Sequence, residues 1–202
     1  HNAKLLEKKD DYNIFNENGI TVGSLASSGG NAIFPIKTYE QFDYDPLNII
    51  LNTFSKIDRD GEGAAIQFVC RPASIDYAKN YKHSLEEIYK GKKVKDAIKE
   101  ESFLATLGTV MKDLFASNAK KEEEKKKEPT PVDQVATKSI EEKLASPIVD
   151  VNIRILASSN SRQSAEGIIS DIESAFNQFQ SPHQGNRIVF KRSSGSKLAK
   201  LI

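Results

Sequence analysis

Val149-Asp150-Val151-Asn152-Ile153-Arg154-Ile155, followed by Ser161 and then by Ile188-Val189-Phe190, is the stretch whose reading decides the fold. Val149, Val151, Ile153 and Ile155 alternate with Asp150, Asn152 and Arg154, the period of a strand with one dry and one wet face. Ala165, Ile168, Ile169, Ile172, Ala175, Phe176 and Phe179 then recur at helical spacing, and Ser161 is placed to cap that helix. Pro182, Gly185 and Asn186 make a return loop before the closing strand. The unit reads strand 149–156, helix 161–179, strand 187–191.

Working outward, an earlier stretch repeats this plan. Asp45-Pro46 opens a helix, because Asp accepts free N–H groups at a cap and Pro suits the first helical position. Leu47, Ile50, Leu51, Phe54 and Ile57 fall on one face of a helix over 45–57. Arg59-Asp60-Gly61-Glu62-Gly63 breaks it, and 64–71 reads as a strand stopped by Pro72. In that strand Ile66, Phe68 and Cys70 point one way, and Gln67, Val69 and Arg71 the other. Two β-α-β units in one chain predict an α+β fold, a ferredoxin-like sandwich whose helices lie on one sheet face. Residues 74–146 then form a helical insertion between the halves.

Within the insertion, Ala78, Tyr81, Leu85 and Ile88 predict a helix over 74–89. Ile98, Leu104, Leu107, Met111 and Leu114 predict another over 94–115. Lys120 to Glu128 is an unbroken Lys/Glu run with no apolar face, and Pro129-Thr130-Pro131 follows, so 117–137 reads as a linker or exposed insertion. Ser139 with Glu142 fits a capping box for a short helix carrying Ile140 and Leu144. At the start, Asp11 to Phe15, Asn16-Glu17-Asn18-Gly19 and Ile20 to Leu25 read as a hairpin. Ser27-Ser28-Gly29-Gly30-Asn31 reads as a loop, and Ile33-Phe34-Pro35-Ile36 as an extended run at a sheet edge or outside the sheet. The organisation is an extended N-terminal segment (1–43), a first half with its helical insertion (44–116), the linker (117–137) and a second half (138–202), together one composite domain.

The 202 residues carry 29 Lys and Arg against 28 Asp and Glu, a net charge of +1, with a pI near 7.9. That balance argues against a dedicated nucleic-acid clamp, whose pI would lie above about 9. One cysteine excludes an intrachain disulfide and any multi-cysteine metal site. No apolar run reaches the length of a membrane helix. The first residue is His1 rather than Met, so a piece of a longer protein is expected.

Chemistry-bearing patterns are sparse. A P-loop needs Gly-x-x-x-x-Gly-Lys-Ser/Thr, and neither Gly91-Lys92-Lys93 nor Gly29-Gly30-Asn31 supplies it. His1, His83 and His183 are far apart in sequence and have no metal-ligand spacing. Cys70 lies on the apolar side of its strand and reads as a small hydrophobe. Glu86-Glu87, Glu100-Glu101 and Glu141-Glu142 sit among lysines as solvated faces. No catalytic, cofactor-binding or metal-ligating residue is therefore singled out. Two basic clusters remain, Arg187, Lys191, Arg192, Lys197 and Lys200 near the C-terminus and Lys90, Lys92, Lys93 and Lys95 around Gly91. Both are candidate phosphate-neutralising patches, but Arg187-Ile188-Val189-Phe190-Lys191 lacks the aromatic pattern of an RNA-recognition sheet.

Two sets of residues resemble a known family. One is Phe34 to Phe42, Asp45-Pro46-Leu47 and Gly63 to Pro72; the other is Val151 to Ala157, continuing through Ala165 to Phe179 and Asn186. They resemble the region preceding the motor in bacterial type IV secretion and conjugative-transfer ATPases. The resemblance implies a non-catalytic accessory domain of a hexameric, membrane-associated ATPase that moves DNA or protein. ATP and magnesium would then belong only to a downstream motor domain, since no motor motif matches a position in this chain. The implied partners are secretion-channel proteins and further copies of the chain, with DNA as another candidate and no metal. The implied location is cytoplasmic, at the inner face of the membrane through the parent protein, because this chain has no membrane segment of its own. The alternative reading is a self-standing α+β nucleic-acid-binding protein. A small enzyme ranks last, since no catalytic constellation was found.

Overall fold

The computed structural model describes residues 13–58, 60–98, 131–181 and 185–194. Its strands β1 (Ile20–Ser28), β2 (Gly63–Pro72), β3 (Val149–Ser159) and β4 (Ile188–Ser194) form one sheet in the order β2-β3-β1-β4. Every neighbouring pair is antiparallel. It follows that β1 and β2 run parallel to each other with β3 between them, while β3 and β4 run parallel with β1 between them. The two β-α-β units are therefore interleaved, each split by a strand of the other. The chain is α+β.

Four helices have complete bounds: α1 (Pro46–Phe54), α2 (Ile75–Tyr89), α3 (Pro131–Leu144) and α4 (Arg162–Ala175); residues 94–98 are helical as well. Capping chemistry sets their starts. The Asp45 carboxylate accepts from the Leu47 N–H at 2.9 Å, and Ser161 Oγ accepts from the Ser164 N–H at 3.1 Å. Gly91, with φ +98°, ends α2 because the left-handed conformation costs glycine nothing. Its N–H donates to the Ile88 carbonyl and the Lys92 N–H to the Glu87 carbonyl, the paired bonds of a Schellman cap.

Strand alternation puts Val22, Ala64, Ile155 and Ala157 on the sheet face covered by α1 and α4. Ala165, Ile169 and Ile172 of α4 and Ile155 and Ala157 of β3 all have zero exposure. Alanines on both surfaces let the helix sit close, and the isoleucines fill the remaining space; each is worth roughly 1.5–3 kcal/mol of burial. The insertion has its own core, in which Tyr81 and Ile88 of α2 meet Ala136 and Ile140 of α3, with Val94, Ala97 and Ile33 packed among them. The Lys143 ammonium donates to the Ala32 carbonyl and lies 5.6 Å from the Tyr81 ring centre, and burial pushes its pKa down. Residues 32–34 thus pack with the insertion, while Gly29, Gly30 and Pro35 bond to the segment that leads into β4.

Several elements differ from the sequence reading. Residues 13–15 form no strand, so no hairpin is made over the described part of that segment. They cross the sheet instead: a Cβ on Gly63 would lie 2.4 Å from the Ile14 carbonyl oxygen, so only glycine admits the crossing. Ser27 and Ser28 are strand, opposite Val189 and Ile188, because a neighbouring strand supplies hydrogen bonds that composition does not foretell. Ser139 caps nothing. It lies inside α3, its hydroxyl bonded to the Val135 carbonyl one turn back, since Pro131 begins the helix eight residues earlier. The linker reading therefore overlaps helix at 131–137, while 99–130, with most of the helix read over 94–115, lies outside the described residues.

The α1 stripe is only partly used: Ile50 is buried, but Leu47 and Leu51 are 52% and 53% exposed. Stability should follow this division. Ile169→Ala is expected to cost about 2–5 kcal/mol by urea unfolding and Leu51→Ala less than about 1 kcal/mol. Equal midpoint shifts would contradict the packing described.

Candidate functional site

Two polar clusters stand out, and both are internally satisfied. Glu62, in the α1–β2 connection, accepts from Ser159 Oγ at 3.2 Å, from Ser164 Oγ, and from the Asp58 N–H at 3.0 Å. The Ser164 hydroxyl, then the Asp58 N–H, hold its carboxyl below the ordinary glutamate range. Beside it Asn16 Nδ2 donates to the Gly61 carbonyl and to Asn160 Oδ1. The cluster fastens the α1–β2 connection and the N-terminal crossing to the β3–α4 junction.

The second cluster joins three elements. Ser24 of β1, 1% exposed, donates to Glu173 Oε1 of α4 at 2.6 Å. Arg192 of β4 donates to the same carboxylate through Nε and through a terminal nitrogen at 2.6 Å from Oε2. Charge-assisted bonds of this kind are the stronger sort, and here they clamp β4 to the helix layer.

Alternation along β4 divides the basic cluster read from the sequence. Arg192 faces the helices and is neutralised by Glu173. Lys191 faces the opposite side of the sheet, where Arg154 lies two strands away, both residues being register partners of Leu25. Lys197 and Lys200 lie outside the described residues. In the other cluster, Lys90 and Lys92 pair with Glu87, and Lys93 and Lys95 are exposed. His83 is exposed, Glu141 accepts from the Tyr89 hydroxyl, and Gly29-Gly30 is held by Asn186, whose Oδ1 accepts from the Gly30 N–H at 2.9 Å. His1, His183, Glu100 and Glu101 lie outside the described residues. Among the described residues, no group of three or more His, Cys, Asp or Glu is placed to hold a metal ion, and no helix is long and apolar enough to cross a membrane.

What the sequence reading missed is an apolar projection. β1 pairs with β3 only as far as Leu25 opposite Arg154, whereas β2 and β3 continue together to Pro72 opposite Val149. The last five pairs form a two-stranded ribbon beyond the β1–β3 pairing, since β1 is no longer paired with β3 after Leu25 and continues to Ser28 against β4. On the side shared with the helices, Phe68, Val149 and Val151 are 53%, 54% and 49% exposed. Cys70, read as a small hydrophobe on the apolar side of its strand, is on that side but exposed. The alternation of valines at 149 and 151 was legible, but the point at which β1 stops pairing with β3 and the reach of the helix layer were not.

A family model for a domain of unknown function, DUF8128, matches residues 1–200. The chain belongs to the DUF8128 family. No curated protein and no solved structure matches it. The chemistry of the site is accordingly read from its residues: saturated carboxylates that fasten elements together, and an exposed apolar ribbon that presents surface.

The Glu62 cluster has a pH signature. A carboxyl with a depressed folded pKa stabilises the fold above its unfolded pKa and loses that contribution as pH falls through the folded value. Between pH 7 and about pH 3 the wild-type Tm should fall further than that of Glu62→Gln, which does not titrate. Parallel Tm–pH curves would show that Glu62 carries no such linkage.

Proposed function

We propose that this chain is a non-catalytic interaction domain of a type IV secretion or conjugative-transfer ATPase-like protein, serving in assembly or substrate handling. In this reading ATP and magnesium belong to a motor elsewhere in the parent protein, and the domain works at the cytoplasmic face of the membrane. The resemblance of Phe34 to Phe42, Gly63 to Pro72 and Val151 to Ala157 supplies the family context. The observation that carries the docking role is the β2–β3 ribbon, which leaves Phe68, Val149 and Val151 about half exposed. Clustered apolar side chains at a projecting edge mark interaction surface, because water contact there is unfavourable until a partner covers it. Secretion-channel proteins and neighbouring copies of the chain are the partners this reading names. The alternative, direct nucleic-acid binding, relies on basic residues that β4 alternation sends to opposite faces.

The parent reading frame tests the family context: a Gly-x-x-x-x-Gly-Lys-Ser/Thr motif after a strand, within a few hundred codons past Ile202, supports it, and a prompt stop codon overturns it. The ribbon is tested separately in the parent protein. Val149→Glu and Val151→Glu should leave the Tm nearly unchanged, because both side chains already meet water, and should reduce capture of channel proteins at least tenfold. Undiminished capture by both variants would remove the ribbon from the interface.

A further inference from the structure

β4 is the terminal strand of the sheet, and beside it runs a groove of about 440 Å³ between the strand and the C-terminal end of α4. Phe176, Ile188 and Phe190 give it apolar lining, and Glu173, Asn177 and Arg187 supply polar groups. The Phe176 and Phe190 rings meet edge to face at 5.3 Å, so this lining is fixed in shape. Among the described residues no strand pairs with the outer edge of β4, and such an edge beside a helix suits one kind of occupant best, an extended chain that continues the ladder.

The backbone polarity of that edge can be worked out. The Gly29 N–H donates to the Arg187 carbonyl at 2.8 Å, which makes Arg187 a residue directed towards β1. Antiparallel strands alternate in this respect, so the amides and carbonyls of Ile188, Phe190 and Arg192 point away from β1, towards the free edge. Their spacing matches an incoming strand that pairs at every second residue.

Charge then selects the occupant. From Arg187 to Ile202 the sequence holds five cations (Arg187, Lys191, Arg192, Lys197 and Lys200) and no Asp or Glu. Two copies of β4 set edge to edge would oppose like charges, which disfavours self-pairing. Glu173, the one carboxylate of the groove, is already neutralised by Arg192. The exposed Arg187 guanidinium has no carboxylate partner among the described residues. We propose that the β4 edge and its groove bind an extended, acidic peptide segment of a partner protein by strand addition, with apolar residues in the groove and carboxylates against Arg187 and Lys191. This site is separate from the β2–β3 ribbon, at the opposite edge of the sheet.

The probes are fluorescein-labelled octapeptides, (Glu-Val)4 and (Lys-Val)4, titrated by anisotropy with the whole chain. Saturable binding of (Glu-Val)4 that weakens with added salt is expected, with no binding of (Lys-Val)4. Arg187→Glu, a change at an exposed side chain, should weaken binding about tenfold. Amide hydrogen exchange supplies a readout that needs no variant: Ile188, Phe190 and Arg192 should gain protection when (Glu-Val)4 is added. No saturation by about 1 mM peptide, equal binding of both peptides, or protection confined to the β2–β3 ribbon would overturn the proposal. Tighter binding of a (dT)12 oligonucleotide at the same amides would overturn it in favour of nucleic acid.

Discussion

The packing of α4 against the β3–β1 pair is the interaction on which the rest depends. Ile155 and Ala157 of the sheet and Ala165, Ile169 and Ile172 of the helix are removed from water altogether. Because β3 and β1 are the two central strands, and each belongs to a different β-α-β unit, this one contact holds both units in register. Phe176 extends it at the helix end, its ring touching Phe68 of β2, Phe190 of β4 and Phe179. The outer strands are thereby tied to the centre by aromatic contacts rather than by a larger core.

Polar groups finish what the core begins. Ser24 and Glu173 lie where β1 meets α4, a position that would favour an apolar pair were Arg192 not present to satisfy the carboxylate. Even a partly buried carboxylate needs charge and hydrogen bonds to compensate its lost hydration. The triad therefore couples the seating of β4 to the seating of α4. At the other end of the sheet the Glu62 cluster does the same for the α1–β2 connection, where Gly61 takes a positive φ of 95° to make the turn.

Surface is then generated where cover runs out. β2 and β3 stay paired beyond the point where β1 and β3 part, and the α1–α4 layer does not cover that end, so Phe68, Cys70, Val149 and Val151 meet solvent. β4 ends the sheet on the other side and leaves its outward backbone groups beside a groove. Both surfaces lie where strand pairing and helix cover end among the described residues. The insertion stands apart from both, since it carries a core of its own centred on Tyr81, Ala136 and Ile140.

Local signals were sufficient for much of this. The alternation from Val149 to Ile155, the stripe from Ala165 to Phe179, and the caps at Asp45 and Ser161 identified strands and helices that were formed, because these depend on nearest neighbours along the chain. Ser139 misled, since a serine inside a helix and a serine that starts one look alike until the true start at Pro131 is seen. The candidate surfaces were less legible. Arg187, Lys191 and Arg192 are one cluster in sequence but are divided in space, Arg192 being sent by strand alternation to the helix face and to Glu173. Cys70 and Val151 sit on what reads as a dry face, yet the dryness of a strand face is set by whatever packs on it. By itself the sequence determined the class, the doubled β-α-β plan and the type of most elements, all fixed by local periodicity and capping. Only the tertiary structure decided the interleaved strand order, the overhanging ribbon and the free β4 edge, because burial and edge exposure depend on contacts between residues far apart in the chain.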